Sequence, residues 1–539
     1  MIISIRIIMV KNNTYFIRLG WWLLILFALV CSLRYVFEGL GNEMDPLYWM
    51  HKYAHAEGGW MASGTIVIGH LLVSVFGAHL MPLRLVAWLC VIAAIILPYC
   101  MLLNREQRKA NLSWLFIALM LINYGAYQEF SPGTLTVLCL SAIWCVLVRF
   151  QRTKKRVWLM ALGVVTGMSI VIRFPNVLVL PIVLGALCVV NDQSWSKRLG
   201  SMVWYLCAAL IGAAVLYGIA WVVMTPAYMD AAMGSHQVSK MIEQLWTKGA
   251  MLFGMAAVWV GVVFVGREMN RRWSQAPWCK VAMYGVGLIV GFLLGHYIAF
   301  SLKRTQWYNM DLTYMISALC LVLAVMSKKK ELGFGVLLMV VASLGTDTAW
   351  MKLFPAVLCL LPIAAVEHKK EIYAYLFPIL LIFSISVMNR FSTNSVGKCD
   401  LSQADTWASV SPYEHIKVSA QEAEWLVQVK TDYEQYANDS IRILAVGQRM
   451  HMVREVTGCQ AAVYNEFWSN IFDKVYTAKY QDYVRRERPI VFCTFAPNFK
   501  TKPTYVDTQS AFENMLRAEG YKEINRSEYK YMIYIPSND

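Results

Sequence analysis

Two carboxylates lie in a short polar stretch that follows the first long apolar segment of the sequence. Glu43 and Asp45 are separated by one residue, and Tyr48 follows them. Carboxylates at a membrane surface are costly unless they are used or solvated. One of them could take a proton from a hydroxyl that enters from the outer side. Asp45-Pro46 is also a favourable helix N-cap pair, and both interpretations can hold together.

A third carboxylate, Glu129, is the only charge in the short polar segment 127–133. It could lie beside the first acidic stretch and help to orient a substrate. The alternative is a solvated turn residue without a role in chemistry.

Basic residues form the second group of candidates. Arg173 follows Gly163-x3-Gly167 on an apolar segment, and small residues at that spacing allow close helix packing. A fixed arginine there would suit a lipid phosphate, whereas the alternative is an arginine that snorkels to the membrane surface. We expect an outer cavity with acids on one side and cations on another, to which four further polar residues contribute: Lys303, Arg304, Asp347 and Lys352.

Metal and nucleotide chemistry are not indicated by the motifs. His51 and His55 share one helix face, but two histidines make at most half a metal site. No HExxH, no Asp-x-Asp, no P-loop and no GxGxxG after a strand is present. We therefore expect no cofactor and no cytoplasmic nucleotide substrate, with a divalent metal left open as the alternative.

The composition indicates that these candidates lie on a multi-span membrane protein. The chain has 539 residues, of which 58% are hydrophobic and 15% charged, and its mean hydropathy is +0.47. Soluble proteins carry about 25% charged residues, so soluble enzymes and nucleic-acid binders are disfavoured. The net charge of +15 belongs to the apolar part, because residues 391–539 hold 17 Lys/Arg against 19 Asp/Glu.

Hydropathy predicts a mainly α-helical, polytopic domain over residues 1–390, with a first outer loop at about 37–64 and a juxtamembrane or re-entrant helix at 65–79. An apolar helix needs about 20 residues to cross a bilayer. Basic residues concentrate in alternate loops, which places the N-terminus in the cytoplasm and residues 391–539 outside it. Thirteen spans are predicted: 17–36, 82–103, 113–127, 133–150, 157–172, 175–190, 200–224, 248–266, 281–300, 312–327, 332–345, 353–366 and 372–388.

The tail, residues 391–539, is predicted to be an extracytoplasmic α/β domain. Strands are expected over 441–447, 489–495 and 529–536, and an amphipathic helix over 508–520. Cys493 lies in the middle of a predicted strand and is expected to be buried. Cys399 and Cys459 could form a disulfide.

Over residues 35–190 the sequence resembles the GT-C superfamily of polyprenyl-phosphate-sugar glycosyltransferases, closest to the aminoarabinose lipid A transferase and protein O-mannosyltransferase branch. The motifs are loose, and two depart from the family pattern: Glu43 and Asp45 are not adjacent, and Ser131 stands where an aspartate commonly precedes the proline. The resemblance is carried, in order, by Asp45 and Tyr48, Gly58-Gly59-Trp60, Phe76-Gly77, Arg84, Ser131-Pro132 and Gly163-x3-Gly167-x5-Arg173.

The resemblance implies an inverting transfer, independent of metal, from a polyprenyl-phosphate sugar to a hydroxyl or phosphate of a lipid, glycan or protein at the outer face of a bacterial inner membrane. Asp45, or Glu43, would be the general base, with Glu129 as a further acidic candidate. Tyr48, Arg84 and Asp347 would position substrate. The leaving phosphate would be stabilised by Arg173, together with Lys303, Arg304 or Lys352.

Two other functions compete with this interpretation. A lipid-linked glycan transporter predicts inverted repeats and ionisable residues at the membrane midplane, and the sequence shows neither. A polysaccharide ligase or polymerase also lacks nucleotide motifs, but it usually keeps a large loop between late spans, whereas here the large polar segment is terminal.

Overall fold

The protein is represented by a computed structural model, which is mostly helical and carries a small C-terminal sheet. The prediction of a mainly α-helical membrane protein is confirmed, whereas the count of thirteen spans remains a prediction. The structure describes residues 2–39, 45–57, 60–122, 130–189, 194–224, 249–250, 252–261, scattered positions within 264–293, then 310–326, 330–344, 349–367, 404–436, 443–447, 449–458, 474–494, 503–529 and 531–537.

Fifteen helices are described before residue 368. Short 3-10 turns at Trp60–Ala62 and Phe174–Leu178 precede α3 and α9. The helices are α1 Ile2–Phe37, α2 Asp45–His55, α3 Ser63–Phe76, α4 Leu80–Leu102, α5 Arg105–Ala110, α6 Leu112–Leu121, α7 Pro132–Thr153, α8 Arg156–Ile172, α9 Val179–Val189, α10 Trp195–Val223, α11 Leu252–Gly261, α12 Met310–Met326, α13 Lys330–Val341, α14 Ala349–Leu358 and α15 Leu361–Glu367.

Four described helices are long and apolar enough to cross a membrane: Phe16–Arg34, Leu80–Leu102, Pro132–Thr153 and Trp195–Val223. Each lies on a predicted span. Other predicted spans coincide with apolar helices that are shorter than the roughly 20 residues a bilayer requires. The predicted spans at 281–300 and 372–388 lie largely or wholly outside the described residues.

The predicted span at 353–366 is interrupted. Helix α14 ends at Leu358 and α15 begins at Leu361. Pro362 lies in the first turn of α15. In a continuous helix its ring would clash with the preceding turn, and it has no N–H to continue the hydrogen-bond ladder. Cys359 and Leu360 instead make tight turns, with their N–H groups bonded to the carbonyls of Ala356 and Val357.

Helices α8 and α10 pack closely because glycines face the neighbouring backbone. A Cβ atom on Gly167 would lie 1.9 Å from the carbonyl oxygen of Ala209, and one on Gly163 would lie 2.5 Å from that of Tyr205. On α10, Gly212 approaches the carbonyl oxygen of Val164 in the same way. The Gly163-x3-Gly167 motif therefore makes the close packing that its spacing indicates.

One end of the bundle is basic and is tied together by Arg152. Its guanidinium donates to the carbonyl of Leu102 at 2.9 Å and pairs with Glu331 at 2.8 Å. These contacts join the C-terminal ends of α4 and α7 to the first turn of α13. A cavity of about 260 Å³ at this end is lined by Asn104, Trp144, Arg152 and Glu331, among others. Arg84, one of the predicted functional residues, lies near the opposite end of α4.

The described part of the C-terminal region contains four helices and two small sheets. Strands β1 Thr406–Trp407 and β2 Lys417–Val418 form an antiparallel pair. The larger sheet has the order β3-β4-β6-β5, in which β3 and β4 are parallel and the other pairs antiparallel. The bounds are β3 Ile443–Gly447, β4 Ile490–Thr494, β5 Tyr521–Arg526, β6 Tyr531–Pro536, α16 Ala420–Tyr436, α17 Met450–Thr457, α18 Lys474–Glu487 and α19 Pro503–Ala518.

The predicted strands at 441–447, 489–495 and 529–536 correspond to β3, β4 and β6, and Cys493 is buried in β4 as expected. Strand β5 was not predicted, because its sequence, Tyr-Lys-Glu-Ile-Asn-Arg, is largely polar. It forms an edge of the sheet, where charged side chains are favourable. Its last residue, Arg526, donates to the fully buried carboxylate of Asp432 on α16 at 2.8 and 3.0 Å.

The chain divides into two compact units that do not follow a single boundary in sequence. The first comprises Met1–Val36, Ala56–His70 and Arg84–Lys398. The second comprises Phe37–His55, Leu71–Leu83 and Cys399–Asp539, so it includes helix α2 together with the C-terminal sheets. The domain layout proposed from the sequence, with a boundary near residue 390, remains a proposal.

Candidate functional site

In the first unit, Arg173 lies directly after helix α8, and its side chain is only 7% exposed. Its guanidinium donates to the carbonyl of Ala342 at 3.1 Å and to that of Leu344. Both carbonyls follow the end of α13, where backbone oxygens lack helical partners and carry partial negative charge. Arg173 therefore joins the ends of α8 and α13. A guanidinium has five N–H donors, so these bonds are compatible with a contact to a phosphate.

Buried polar side chains surround this end of α8. The Asn176 amide donates to the carbonyl of Ser169 at 2.9 Å and to the hydroxyl of Thr136, in the first turn of α7, at 3.2 Å. Within the described residues, the Asn176 Oδ1 atom has no hydrogen-bond partner. Thr65, on α3, donates to the carbonyl of Ile172 at 2.9 Å. The start of α7, the end of α8 and part of α3 thus meet in one polar cluster inside an apolar bundle.

Arg84 is buried near the start of α4, with 1% of its surface exposed. One turn further along, Trp88 donates from Nε1 to the Ser32 hydroxyl of α1 at 2.9 Å. An arginine inside an apolar segment is expensive and is retained for a structural or functional reason. Its predicted role in positioning substrate remains a proposal.

In the second unit, Tyr48 lies on α2, one turn after Asp45. The Lys52 ammonium lies 4.2 Å from the centre of the Tyr48 ring. The same ring meets the edge of the His451 ring, on α17, at a centroid distance of 5.9 Å. Tyr48 is therefore held between its own helix and the C-terminal region.

A second contact joins the same two helices. His51 Nδ1 lies 3.1 Å from Glu455 Oε1, and Arg454 Nε lies 2.9 Å from the same oxygen. Burial of the Glu455 carboxyl opposes ionisation, but the hydrogen bond from His51 and the charge of Arg454 outweigh it and lower its pKa. Burial, reinforced by neighbouring cations, lowers the pKa of His451 to about 3. The cluster therefore contains an ionised Glu455, the cationic Arg454, a neutral His451 and the His51 ring.

The remaining predicted site residues cannot be placed in this geometry. Asp45 and Lys352 lie in the backbones of α2 and α14, but their side chains are outside the described part of the structure. Several other predicted residues lie wholly outside the described residues: Glu43, Glu129, Lys303, Arg304, Asp347, Cys399 and Cys459.

His51 and His55 are the only pair of side chains for which the sequence raises metal binding. The rings of His51 and His55 lie 4.5 Å apart, and His51 is directed to Glu455. Among the described residues, no group of three or more His, Cys, Asp or Glu side chains could hold a metal ion. The metal-independent reaction expected from the sequence remains a prediction.

Sequence reasoning did not single out Asn176, His451 or Glu455. Asn176 belongs to the motif that follows Arg173, where its burial next to helix ends was not readable. His451 and Glu455 are spaced i, i+4 and therefore share one face of α17. Nothing in the sequence, however, connects that face to His51, which lies 404 positions earlier than Glu455.

The family match covers most of the residues at the polar end of the first unit. Residues 66–221 match the family model of dolichyl-phosphate-mannose-protein mannosyltransferases. The matched family belongs to the GT-C superfamily. The matched segment contains Arg84, the Gly163-x3-Gly167 packing motif, Arg173 and Asn176, and the match confirms the resemblance to the GT-C superfamily drawn from the sequence.

The mannosyltransferase family indicates a membrane glycosyltransferase that uses a lipid-linked sugar donor. The match covers the residues of the polar cluster except Thr65, and it ends at residue 221, near the end of α10. A comparison with curated proteins finds no match.

Proposed function

We propose that the protein transfers a sugar from a polyprenyl-phosphate donor to an acceptor hydroxyl or phosphate at the outer face of the membrane, with inversion at the anomeric carbon. The observation that carries the proposal is the family match over residues 66–221, which includes two buried arginines, Arg84 and Arg173. A bacterial inner membrane is the proposed location. The donor sugar and acceptor are left at the level of chemical class.

The proposed mechanism needs an acid–base group on the acceptor and a cation for the leaving group. Asp45, or Glu43, takes the proton of the acceptor hydroxyl as its oxygen attacks the anomeric carbon. The bond from that carbon to the phosphate oxygen breaks, and the lipid phosphate leaves with the electron pair. Arg173 stabilises that charge.

Substrate positioning is assigned to other polar side chains. Arg84 is proposed to orient the donor, and Tyr48, which the ring of His451 supports from one side, to orient the acceptor. Glu129, Lys303, Arg304, Asp347 and Lys352 keep the roles proposed from the sequence. The residues proposed to act are all protein side chains, so the mechanism needs no metal.

The choice of base is tested by substituting each carboxylate of the first loop. Asp45→Asn keeps the size of the side chain and its ability to cap a helix but removes the base. We expect turnover to fall about 10²- to 10⁴-fold, with normal expression and thermal stability. Glu43→Gln is the matched comparison and Asp405→Asn, an exposed carboxylate of the C-terminal region, is the control. Near-normal turnover in Asp45→Asn, with a loss in Glu43→Gln, would transfer the role to Glu43; normal turnover in both would remove the first loop from the chemistry.

A further inference from the structure

Several contacts within the second unit attach the segments 37–55 and 71–83 to the C-terminal region, and three of them involve Gly39, Leu80 and His51. The Gly39 amide donates to the carbonyl of Lys417 at 2.7 Å. The Leu80 amide donates to the carbonyl of Pro412 at 3.1 Å. Between them in sequence, His51 contacts Glu455. The Gly39 and Leu80 contacts are backbone hydrogen bonds outside helix α2, whereas the His51 contact holds α2 itself through side chains.

The contact between His51 and Glu455 is buried, and a second donor restrains it. His51 is 5% exposed, and Glu455 is mostly buried. Hydrogen bonds to an ionised partner are shorter and roughly twice as strong as neutral ones. Arg454 donates to the same carboxylate oxygen at 2.9 Å, so the carboxylate cannot rotate away without losing two contacts.

Because His51 and Asp45 lie on the same helix, α2, the contact of His51 with Glu455 also restrains the backbone of Asp45. Asp45 begins α2, and six residues separate it from His51, which corresponds to about 9 Å along a helix axis. The Tyr48 ring lies between them in sequence and contacts His451. A helix fixed through two side chains on α17 cannot shift or turn freely, and its first turn is fixed with it.

We propose that Glu455 is a positioning residue of the transfer reaction: through His51 it fixes helix α2 on the C-terminal region and so sets the place of the proposed base, Asp45. This inference rests on the proposed function. It gives the C-terminal region a defined part in catalysis, because a residue that touches neither substrate controls the geometry of the reacting group. Errors of about 1 Å in such geometry can cost about 10²-fold in rate.

The test compares single and double variants in the full chain, reconstituted in lipid nanodiscs. Glu455→Ala and His51→Ala each remove the contact, and His51→Gln keeps an N–H donor toward Glu455. Glu519→Gln is the matched control, since it removes the exposed Arg485–Glu519 ion pair, 2.8 Å long, elsewhere in the same unit. Two readouts are needed: amide hydrogen exchange of residues 45–55, and kcat and KM for sugar transfer.

We expect faster exchange over residues 45–55 and a kcat lower by about 10- to 100-fold in both alanine variants, with the donor KM within about twofold of the parent. The double alanine variant should be no worse than either single, and His51→Gln should recover part of kcat. Glu519→Gln should match the parent in both readouts.

Each other outcome overturns a specific step. Unchanged exchange over 45–55 would show that the contact does not fix α2. Faster exchange with unchanged kcat would show that α2 is fixed for some purpose other than catalysis. A parent protein that transfers no sugar would refute the proposed function and the positioning role with it, while the exchange data would still report on the contact.

Discussion

Substitution of Arg173 can distinguish a structural role of this arginine from a catalytic one. Its guanidinium bridges α8 to two carbonyls that follow α13. Removing it leaves those carbonyls buried without that donor, at a cost of about 1–3 kcal/mol each. Arg173→Ala is therefore expected to lower the free energy of unfolding by about 2–6 kcal/mol. If the same charge stabilises the leaving phosphate, Arg173→Ala also lowers kcat/KM for the donor by about 10²- to 10³-fold.

A second variant keeps one property and removes the other. Arg173→Gln retains an amide N–H₂ that can donate to a backbone carbonyl, but it carries no charge. We expect its stability to lie close to that of the parent and its kcat/KM for the donor to fall as far as in the alanine variant. Stability is measured by thermal unfolding of the protein in detergent, and the donor kinetics by product formation at saturating acceptor.

Two results would refute this reasoning in different ways. A glutamine variant with normal donor kinetics would reduce Arg173 to a helix-joining residue. An alanine variant as stable as the parent would show that the carbonyl contacts contribute nothing to the bundle.

Three further predictions concern packing, pH and topology. Gly167→Ala places a Cβ 1.9 Å from the Ala209 carbonyl oxygen and should lower the free energy of unfolding by about 1–3 kcal/mol, measured by thermal unfolding. Gly218→Ala, on the open face of α10, is the control and should have no such effect. Equal effects of the two substitutions would refute the packing argument. The pKa of native His451 is about 3 and that of an unfolded histidine is about 6.5, so protons bind preferentially to the unfolded chain below pH 6.5. The free energy of unfolding should therefore fall by about 1 kcal/mol between pH 6.5 and 5.5, and by less in His451→Phe. Equal slopes in the two proteins would contradict the burial of a neutral ring. A C-terminal alkaline phosphatase fusion should be active only outside the cytoplasm, and an inactive fusion alongside an active cytoplasmic reporter would reverse the proposed orientation.

Local patterns predicted the parts of the fold that depend on neighbours in sequence. The apolar periods at 82–103 and 133–150 correspond to α4 and α7, and the strand patterns of the tail to β3, β4 and β6, because hydrophobic burial dominates those elements. Pro362 breaks a predicted span that hydropathy alone reads as continuous. Strand β5 escaped detection because an edge strand with charged side chains lacks apolar alternation.

The candidate site was less predictable, since its contacts join residues far apart in sequence. The type and place of Arg173 indicated a functional cation, but its two carbonyl partners lie about 170 positions later and could not be read from the chain. In the same way, the spacing of His51 and His55 suggests at most half a metal site, whereas His51 contacts Glu455 in the structure. Residue types therefore indicate which chemistry is possible, whereas the contact partners of these residues follow only from the tertiary structure.

The central claim is that this protein consumes a polyprenyl-phosphate sugar, and mass spectrometry of lipid extracts tests it most directly. The extracts are compared between cells that carry the parent protein, cells that lack it, and cells that carry Asp45→Asn. We predict that a polyprenyl-phosphate sugar accumulates in the second and third strains and that the same sugar is lost from one surface glycan, lipid or protein. Identical lipid-phosphate sugars and identical surface sugars in all three strains would contradict the account.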